Sequence, residues 1–251
     1  MNALVRAVVD SRLYRAYDRV TRRFDPRSIE FDVNEYSKRH SHATFIQVGA
    51  NDGKTWDPFY YFIRRDGWRG IVIEPQRAVF EHKLKATYRD VRDITLMNVA
   101  VDTAAGSRVL YRYAFSSSRW ATGLASFDKE RLITNFNSDY IRENFEREGV
   151  SVVDDPEAYL VAEVVSCVTF DTVLAILGKD SIDFVVTDVE GHDIAILDTF
   201  PLDRVRPANI VFELPIERDT TLDGFMTKLR DHDYQVKEWG RDAIAMRPLP
   251  N

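Results

Sequence analysis

Cysteine is almost absent from this sequence, which has one among its 251 residues. A single thiol excludes an intramolecular disulfide and a cysteine-based zinc site. Cys167 stands in the apolar, strand-like run VVSCVTF. We therefore expect it to be packed in the core.

Long hydrophobic runs and an excess of basic residues are also missing. No stretch approaches the roughly 20 apolar residues that span a bilayer, and Arg6 and Asp10 interrupt the N-terminal MNALVRAVVD before a signal-peptide core could form. Asp and Glu (40) outnumber Lys and Arg (34), which gives a net charge of -6 and argues against a general nucleic-acid binder. We expect a cytoplasmic protein with no transmembrane segment and no nucleic-acid partner.

What the sequence does contain describes a globular chain. Hydrophobic residues make up 45% and charged residues 29%, which is enough apolar material for one large core. We predict an N-terminal helical extension over residues 1–42 and one main domain over residues 43–251.

The first 23 residues predict a basic amphipathic helix. Apolar residues recur near helical spacing, and arginines outnumber acidic residues on the other positions. Such a helix can pack on its own domain, pair two subunits in a homo-oligomer, or bind an anionic membrane surface. The sequence does not choose among the three.

From residue 44 onward, short β-rich runs alternate with amphipathic segments, which is typical of a parallel α/β sheet with a Rossmann-like fold. The last two strands are separated only by a turn at Gly240, so an antiparallel hairpin should close the sheet. The segment of about 102–168 is an insertion with no simple period. The predicted strands are Phe45–Val48, Gly70–Glu74, Ile94–Val101, Ile182–Thr187, Asn209–Glu213, Tyr234–Trp239 and Ala243–Arg247; the predicted helices are Pro58–Arg65, Arg77–Arg89, Phe170–Leu177 and Leu222–Asp231.

The turn after the first strand has the composition of a ligand-binding loop. In FIQVGANDGKTWDPF, Gly49 and Gly53 remove side chains where a ligand could approach the backbone, and Asp57-Pro58 predicts a helix start whose N–H groups could meet an anion. The second strand ends in Glu74, where a carboxylate can accept both hydroxyls of a ribose. We assign nucleoside binding to Gly49, Ala50, Asn51, Asp52, Gly53, Thr55, Glu74, Pro75 and Asn98, although Asn98 could instead cap a turn.

Several motifs in this order resemble the FkbM-type methyltransferases. They are IQVGANDG (46–53), WRGIVIEPQ (68–76), NVAVD (98–102), GLASF (123–127), VTFDTVL (168–174), IDFVVTDVEGHDIAIL (182–197) and IVFELP (210–215). The resemblance spans about residues 44–246 and implies a class I fold whose sheet ends in an antiparallel strand, S-adenosylmethionine as cofactor, and O-methylation of sugar hydroxyls. Val186 stands where the family usually has a lysine.

The segment TDVEGHD concentrates charge at the end of a predicted strand. Such crowding is costly for a purely structural turn, and we assign catalysis to Asp188, Glu190 and His192. A sugar hydroxyl must lose its proton during methyl transfer, either to a general base or with the help of a divalent cation. Asp188 and Glu213 end neighbouring strands and could hold Mg²⁺; alternatively, His192 acts as the base without metal.

The insertion should supply substrate contacts. The run VLYRYAFSSSRWATGLASF mixes aromatic rings with hydroxyls and arginines, which suits the binding of sugar rings. Tyr111 and Tyr113 can equally be core residues of an edge strand. We assign carbohydrate binding to Trp120, Arg119 and Asp193.

Two other functions are compatible with parts of the pattern. An NAD(P)-dependent oxidoreductase would share the nucleoside site, but the third glycine of its motif is missing and the closing hairpin is atypical. A non-catalytic nucleoside-binding module would keep Gly49 and Glu74 but would not need the charges at 188–193.

Overall fold

The computed structural model describes residues 24–149, 155–178 and 181–248. The predicted basic helix of residues 1–23 lies outside the described residues, and so does the choice among its three roles. Within the described part of the chain, no helix combines the length and apolar character needed to cross a bilayer.

The strands in chain order are β1 (Thr44–Val48), β2 (Arg69–Ile73), β3 (Ile94–Met97), β4 (Ala100–Val101), β5 (Gly106–Tyr113), β6 (Leu160–Val168), β7 (Phe184–Thr187), β8 (Asn209–Glu213), β9 (Gln235–Trp239) and β10 (Asp242–Met246). The helices are α1 (Ile29–Arg39), α2 (Tyr60–Asp66), α3 (Arg77–Val79), α4 (Lys85–Tyr88), α5 (Arg119–Thr122), α6 (Lys129–Asn135), α7 (Asp139–Glu148), α8 (Phe170–Leu177), α9 (Asp193–Asp198) and α10 (Thr220–Asp231). A π-helical turn, Phe80–Leu84, joins α3 to α4.

The main sheet of the described residues has seven strands in the order β3-β2-β1-β7-β8-β10-β9. Its first five strands are parallel, whereas β10 runs antiparallel to both β8 and β9. The predicted parallel sheet and its closing hairpin are therefore confirmed. Because the parallel strands end at one edge, the loops after β1, β2, β7 and β8 meet there.

Both faces of the sheet are covered, which explains why the residues of its central strands β1 and β7 are buried along the whole strand rather than at alternate positions. On one face, Phe45 packs with Trp68 and Phe184, and the Trp68 ring lies 4.9 Å from the Phe184 ring. On the other face, Ile46 and Val185 pack under α8, α9 and α10. Successive residues of β1 thus enter different cores, as the period of a strand requires.

Helix α1 packs into the first of these cores through Val33. Ser28 caps its start by accepting a hydrogen bond from Phe31 N. Asp32 receives Lys237 Nζ at 2.6 Å, and Asn34 Oδ1 receives Arg65 Nη1 at 2.8 Å. These contacts tie α1 to β9 and to α2.

The predicted strand Ile94–Val101 is divided in the structure. Its first half is β3 of the main sheet, while Ala100 and Val101 form β4 of a three-stranded sheet with order β4-β6-β5. Between them, Asn98 Nδ2 donates to the carbonyls of Glu74 and Pro75 at 2.8 and 2.9 Å, and the chain leaves the main sheet there. Cys167 pairs with Ala100 and is buried, as its sequence context predicts.

Candidate functional site

A cavity of about 570 Å³, open mouth included, lies where β1, β2 and β7 end. We name it the first cavity. Its floor is formed by the loops after these strands, and its cover comes from the insertion, including α5 and the segment that follows it. The residues used below that line it are Gly49, Asn51, Glu74, Pro75, Gln76, Val101, Leu110, Arg119, Thr122, Phe127, Asp188, Glu190 and His192.

Glu74 is a buried carboxylate on the floor of the first cavity. Its Oε2 accepts Asn51 N at 2.9 Å, and its Oε1 accepts Gln76 N at 2.8 Å and Gln76 Nε2 at 3.1 Å. Burial raises the pKa of Glu74 to about 7, although these hydrogen bonds oppose the shift. The side chain is therefore held in one position by three donors.

The insertion is fastened to this floor by polar contacts. Thr122 Oγ1 donates to Asn51 Oδ1 at 3.1 Å, and the Thr122 carbonyl accepts Gln76 Nε2 at 2.9 Å. Gln76 Oε1 is buried and has no hydrogen-bond partner among the described residues. It is an acceptor available to a ligand.

Gly49 is required by the approach of two loops. Its φ is +82°, and a Cβ at this position would lie 2.0 Å from the Asp188 carbonyl oxygen. No other residue could bring the end of β1 so close to the end of β7. Gly49 thus sets the distance between Glu74 on one side and Asp188 on the other.

Several residues that the sequence assigned to nucleoside binding do not line the first cavity. Ala50 faces a different cavity, described below. Asp52 closes its own turn by accepting Thr55 N and Thr55 Oγ1 at 2.8 and 2.7 Å. Gly53 makes room for Tyr88, whose Cε2 would lie 2.5 Å from a Cβ on Gly53. Asp52, Gly53 and Thr55 therefore shape the loop, and their predicted contacts with a nucleoside stay predictions.

The Asn98 side chain and the first N–H groups of α2 also bind other parts of the protein instead of facing the first cavity. The Asn98 side chain fixes the loop carrying Glu74 and Pro75 instead of facing the first cavity. Asp57 Oδ1 accepts Phe59 N and Tyr60 N at 2.7 and 3.2 Å, so these N–H groups at the start of α2 are not open to a ligand. The predicted anion site at this helix is occupied by the protein's own carboxylate.

The charges at the carboxyl ends of β7 and β8 form one network with arginines. Arg131 Nη2 lies 2.9 Å from Glu190 Oε2 and 3.7 Å from Glu213 Oε2. Arg241 Nη2 lies 2.8 Å from Glu213 Oε1. Burial and the nearby Glu190 nevertheless raise the pKa of Glu213 to about 8.

This network surrounds the magnesium site predicted at Asp188 and Glu213, which stays a prediction. Both oxygens of Glu213 face guanidinium groups, with Oε1 2.8 Å from Arg241 Nη2 and Oε2 3.7 Å from Arg131 Nη2. No group of three or more His, Cys, Asp or Glu side chains within the described ranges is arranged to hold a metal ion. Arg131 and Arg241 supply positive charge beside Glu190 and Glu213.

Asp188 is different from its neighbours because it is open to the crevice. Its side chain is 54% exposed, and its only close cation is Arg119, with Nη2 at 3.9 Å from Oδ2 among the described residues. Desolvation by the surrounding protein nevertheless raises the pKa of Asp188, although Arg119 opposes the shift. Asp188 is thus a solvent-reachable carboxylate with an increased affinity for a proton.

His192 lies on the wall of the first cavity and is oriented by a buried carboxylate. Its Nε2 is 2.9 Å from Asp102 Oδ1, and its ring packs edge-on against Phe127. Burial disfavours ionisation of Asp102, but hydrogen bonds from His192, Thr103 and Arg108 outweigh it and lower the pKa of Asp102. The Asp102–His192 pair joins β4 of the small sheet to the loop after β7.

Asp193 is not placed to bind a substrate. It is 1% exposed, and its Oδ2 accepts Val189 N at 3.4 Å, which closes the turn before α9. Burial raises its pKa to about 7. The sequence prediction for Asp193 is corrected to a turn-forming role.

Trp120 is likewise buried, with 6% of its surface exposed. It belongs to an aromatic core with Phe115 and Phe145, and its Nε1 donates to Glu148 Oε1 at 2.8 Å. No face of the ring is left for a sugar. The neighbouring Arg119, by contrast, does line the first cavity.

Trp120→Phe should lower the free energy of unfolding by about 1–2 kcal/mol, because the smaller ring leaves a gap and removes the hydrogen bond to Glu148. Denaturant unfolding would measure the change. Trp56→Phe is the matched control, since Trp56 is 70% exposed. Equal stability of Trp120→Phe and the wild type would contradict the core assignment.

The ligand-free protein should become less stable as pH rises from about 5 to about 7. The folded protein holds protons on Glu74 and Asp193 up to a pKa of about 7, whereas the unfolded chain releases them near 4.5 and 3.8. In this window the folded state binds more protons, so the free energy of unfolding falls with increasing pH. Thermal melting across this range would measure the effect, and Glu74→Gln should make the dependence shallower. An unchanged dependence in that variant would rule out the contribution of Glu74.

A second cavity adjoins the first and is larger, at about 1010 Å³ with its open mouth included. It lies between the start of α1, the turn after β1 and the ends of β7, β8 and β10. Gly49, Val48, Arg119 and Asp188 line both cavities. The two spaces therefore meet at Asp188.

Four polar residues that line the first cavity or contact the charged side chains beside it were not predicted from the sequence. Arg131 and Arg241 come from α6 and from the β9–β10 turn, and Asp102 and Gln76 were quoted only as parts of motifs. For Gln76 and Asp102, the signal was a polar residue within three positions of a strand end. For the two arginines there was no local signal, because their partners are distant in sequence.

The sheet order, its antiparallel closing strand and the cavity at the strand ends define a class I methyltransferase fold. A family model described as "Methyltransferase FkbM domain" matches residues 47–236. The protein belongs to this family of FkbM methyltransferase domains. No curated protein matches the sequence.

Three solved methyltransferase structures show a low similarity to this chain. Methyltransferase FkbM from Methylobacillus flagellatus KT is 13% identical with a TM-score of 0.47, and the match covers 82% of this chain and 43% of that one. The chain thus spans less than half the length of that protein. The O-methyltransferase from Bacillus cereus in complex with SAH is 7% identical (TM-score 0.43; 98% and 92% covered). The O-methyltransferase TomG from Streptomyces achromogenes is 9% identical (TM-score 0.43; 99% and 100% covered).

Proposed function

We propose that the protein is an S-adenosylmethionine-dependent O-methyltransferase that modifies a hydroxyl group of a carbohydrate. The observation that carries the proposal is the position of Asp188, which lines both the first cavity, where Glu74 lies, and the second, larger cavity. A proton acceptor at the junction of two binding spaces is what a transfer between two bound molecules needs. The family supports methyl transfer as the reaction.

The first cavity fits the nucleoside end of the methyl donor. Glu74 offers a fixed carboxylate for the ribose hydroxyls, and Gln76 Oε1 is a buried acceptor without a partner in the described chain. Val101, Leu110 and Phe127 provide apolar walls for a base. When bound, S-adenosylmethionine supplies an electrophilic methyl group on a positively charged sulfur.

Asp188 is the best candidate for the general base. Methyl transfer to an alcohol requires removal of the hydroxyl proton, and a carboxylate with a raised pKa is a stronger acceptor than an ordinary one. His192 lines the first cavity only, on the side of Phe127 and Val101. We therefore place His192 beside the donor, oriented by Asp102, and not at the acceptor.

Glu190 has a different role in this proposal. It has a positive φ of 52° and is held by Arg131. A non-glycine residue in this conformation is strained and is retained where the surrounding structure fixes it. Glu190 and Arg131 thus hold the loop that presents Asp188.

Two measurements test the proposal. Calorimetry should detect binding of S-adenosylhomocysteine and no binding of NAD, which would separate a methyltransferase from an oxidoreductase. Mass spectrometry of a glycan panel incubated with isotopically labelled methyl donor should then detect a labelled O-methyl group. Binding of S-adenosylhomocysteine without transfer to any carbohydrate, but with transfer to another class of hydroxyl, would contradict the carbohydrate assignment alone.

A further inference from the structure

The second cavity has an unsatisfied polar atom in its wall. Gln47 is 6% exposed, and its Nε2 donates to Asp57 Oδ2 at 3.0 Å, which fixes the orientation of the amide. Its Oε1 is buried and has no partner among the described residues. A buried acceptor without a partner is unfavourable, because it has lost its hydrogen bonds to water. A ligand that donates a hydrogen bond into this cavity would remove that cost.

Two tryptophans also line the second cavity. Trp56 is 70% exposed and has a positive φ of 58°, a conformation that a bulky residue rarely adopts. Trp239 is held by a hydrogen bond from its Nε1 to Asp32 Oδ2 at 3.4 Å. Aromatic faces with polar groups beside them suit a ring that is apolar on its faces and hydroxylated at its edge.

The charge of this cavity is mainly negative. Four carboxylates line it, and only two cationic side chains of the described residues do so. An anionic ligand would bring further negative charge into a confined space, which costs binding energy, whereas a cation or a neutral molecule would not. The carboxylates are Glu30, Asp57, Asp188 and Asp242, and the cations are Arg27 and Arg119.

We propose that the second cavity is the acceptor site and that it selects neutral or amino-bearing sugars while excluding anionic sugars such as uronates. The proposal rests on the proposed methyl transfer, because Asp188 at the junction must reach the hydroxyl that reacts. Gln47 Oε1 accepts a hydroxyl or ammonium hydrogen, and Trp56 and Trp239 contact the sugar ring. The surplus of carboxylates repels sugar acids.

The four tryptophans of the chain provide a direct test, since Trp56 and Trp239 line the second cavity whereas Trp68 and Trp120 are buried elsewhere. The full chain is labelled with 5-fluorotryptophan, saturated with S-adenosylhomocysteine, and titrated with methyl glucoside, glucosamine and glucuronate at millimolar concentrations. Fluorine NMR should show that the first two sugars shift the Trp56 and Trp239 signals and that glucuronate does not. The Trp68 and Trp120 signals are internal controls and should stay in place.

Two variants sharpen the result. Gln47→Met keeps the length of the side chain but lacks the acceptor oxygen. The affinity for methyl glucoside and glucosamine, measured from the fluorine shifts, should fall about tenfold. Asp242→Asn removes one carboxylate from the second cavity and should narrow the difference in affinity between glucosamine and glucuronate. Asp231→Asn, at the exposed end of α10, is the control and should leave that difference unchanged.

The outcomes distinguish this proposal from the broader function. Failure of S-adenosylhomocysteine to bind would count against the methyltransferase function itself. If S-adenosylhomocysteine binds but no sugar shifts Trp56 or Trp239, the acceptor site is wrong while the methyltransferase function stands. If glucuronate and glucosamine shift the Trp56 and Trp239 signals equally, the proposed exclusion of anionic sugars is wrong.

Discussion

Asp188→Asn should lower kcat by about 10²- to 10⁴-fold, the range typical for loss of a general base. The amide has nearly the same shape as the carboxylate but cannot accept the hydroxyl proton. Affinity for S-adenosylhomocysteine should change little, because Glu74 and the apolar walls of the first cavity are left intact. Methyl-transfer rates and calorimetry on the same preparation would measure both quantities.

The pH dependence gives an independent check on the same residue. Only the ionised form of Asp188 can take a proton, so kcat should fall as pH decreases through its pKa, which the crevice raises above the usual range of an aspartate. Asp188→Asn should lack this acidic limb. Asp231→Asn, at the exposed end of α10, is the control and should retain kcat with the limb unchanged. His192→Ala should also keep the limb, even where loss of a donor-side contact lowers the rate. A nearly inactive His192→Ala together with an active Asp188→Asn would transfer the role of base to the Asp102–His192 pair.

The sheet could be predicted because each of its strands and turns has a recognisable pattern in the local sequence. Apolar runs such as Phe45–Val48 are buried on both faces, and the short turn at Gly240 forces the last two strands into a hairpin. Glu74 could be placed for the same reason, since it directly follows a buried strand at the edge where ligands bind.

The surroundings of Asp188 could not be predicted in this way. Its sequence neighbours suggested a cluster of negative charge that needed a metal ion, but Arg131 and Arg241 reach the cluster from other elements. The prediction that Trp120 is exposed to a substrate differs from the structure for a related reason. Small and polar neighbours suggested exposure, but α7 and the turn before β6 supply Phe145 and Tyr159 and bury the ring. Both errors concern contacts between residues far apart in the chain.

Glu74→Gln should weaken binding of the methyl donor by about 1–3 kcal/mol, because a neutral amide replaces the charged acceptor that the ribose hydroxyls need. This corresponds to roughly a tenfold to hundredfold loss in affinity. Calorimetric titration with S-adenosylhomocysteine would measure it. Glu81→Gln is the matched control, since Glu81 pairs with Lys85 on the exposed face of the helical segment and lies outside the first cavity.

The raised pKa of Glu74 makes the same experiment informative as a function of pH. Without ligand, the carboxyl takes up a proton as pH falls through about 7, and a donor that binds the ionised form must first displace this proton. The affinity of the wild type should therefore weaken below pH of about 7, whereas the affinity of Glu74→Gln should be nearly independent of pH in that range. A folded Glu74→Gln with wild-type affinity at all pH values would remove Glu74 from the donor site, and the buried acceptor Gln76 would then be the next residue to test.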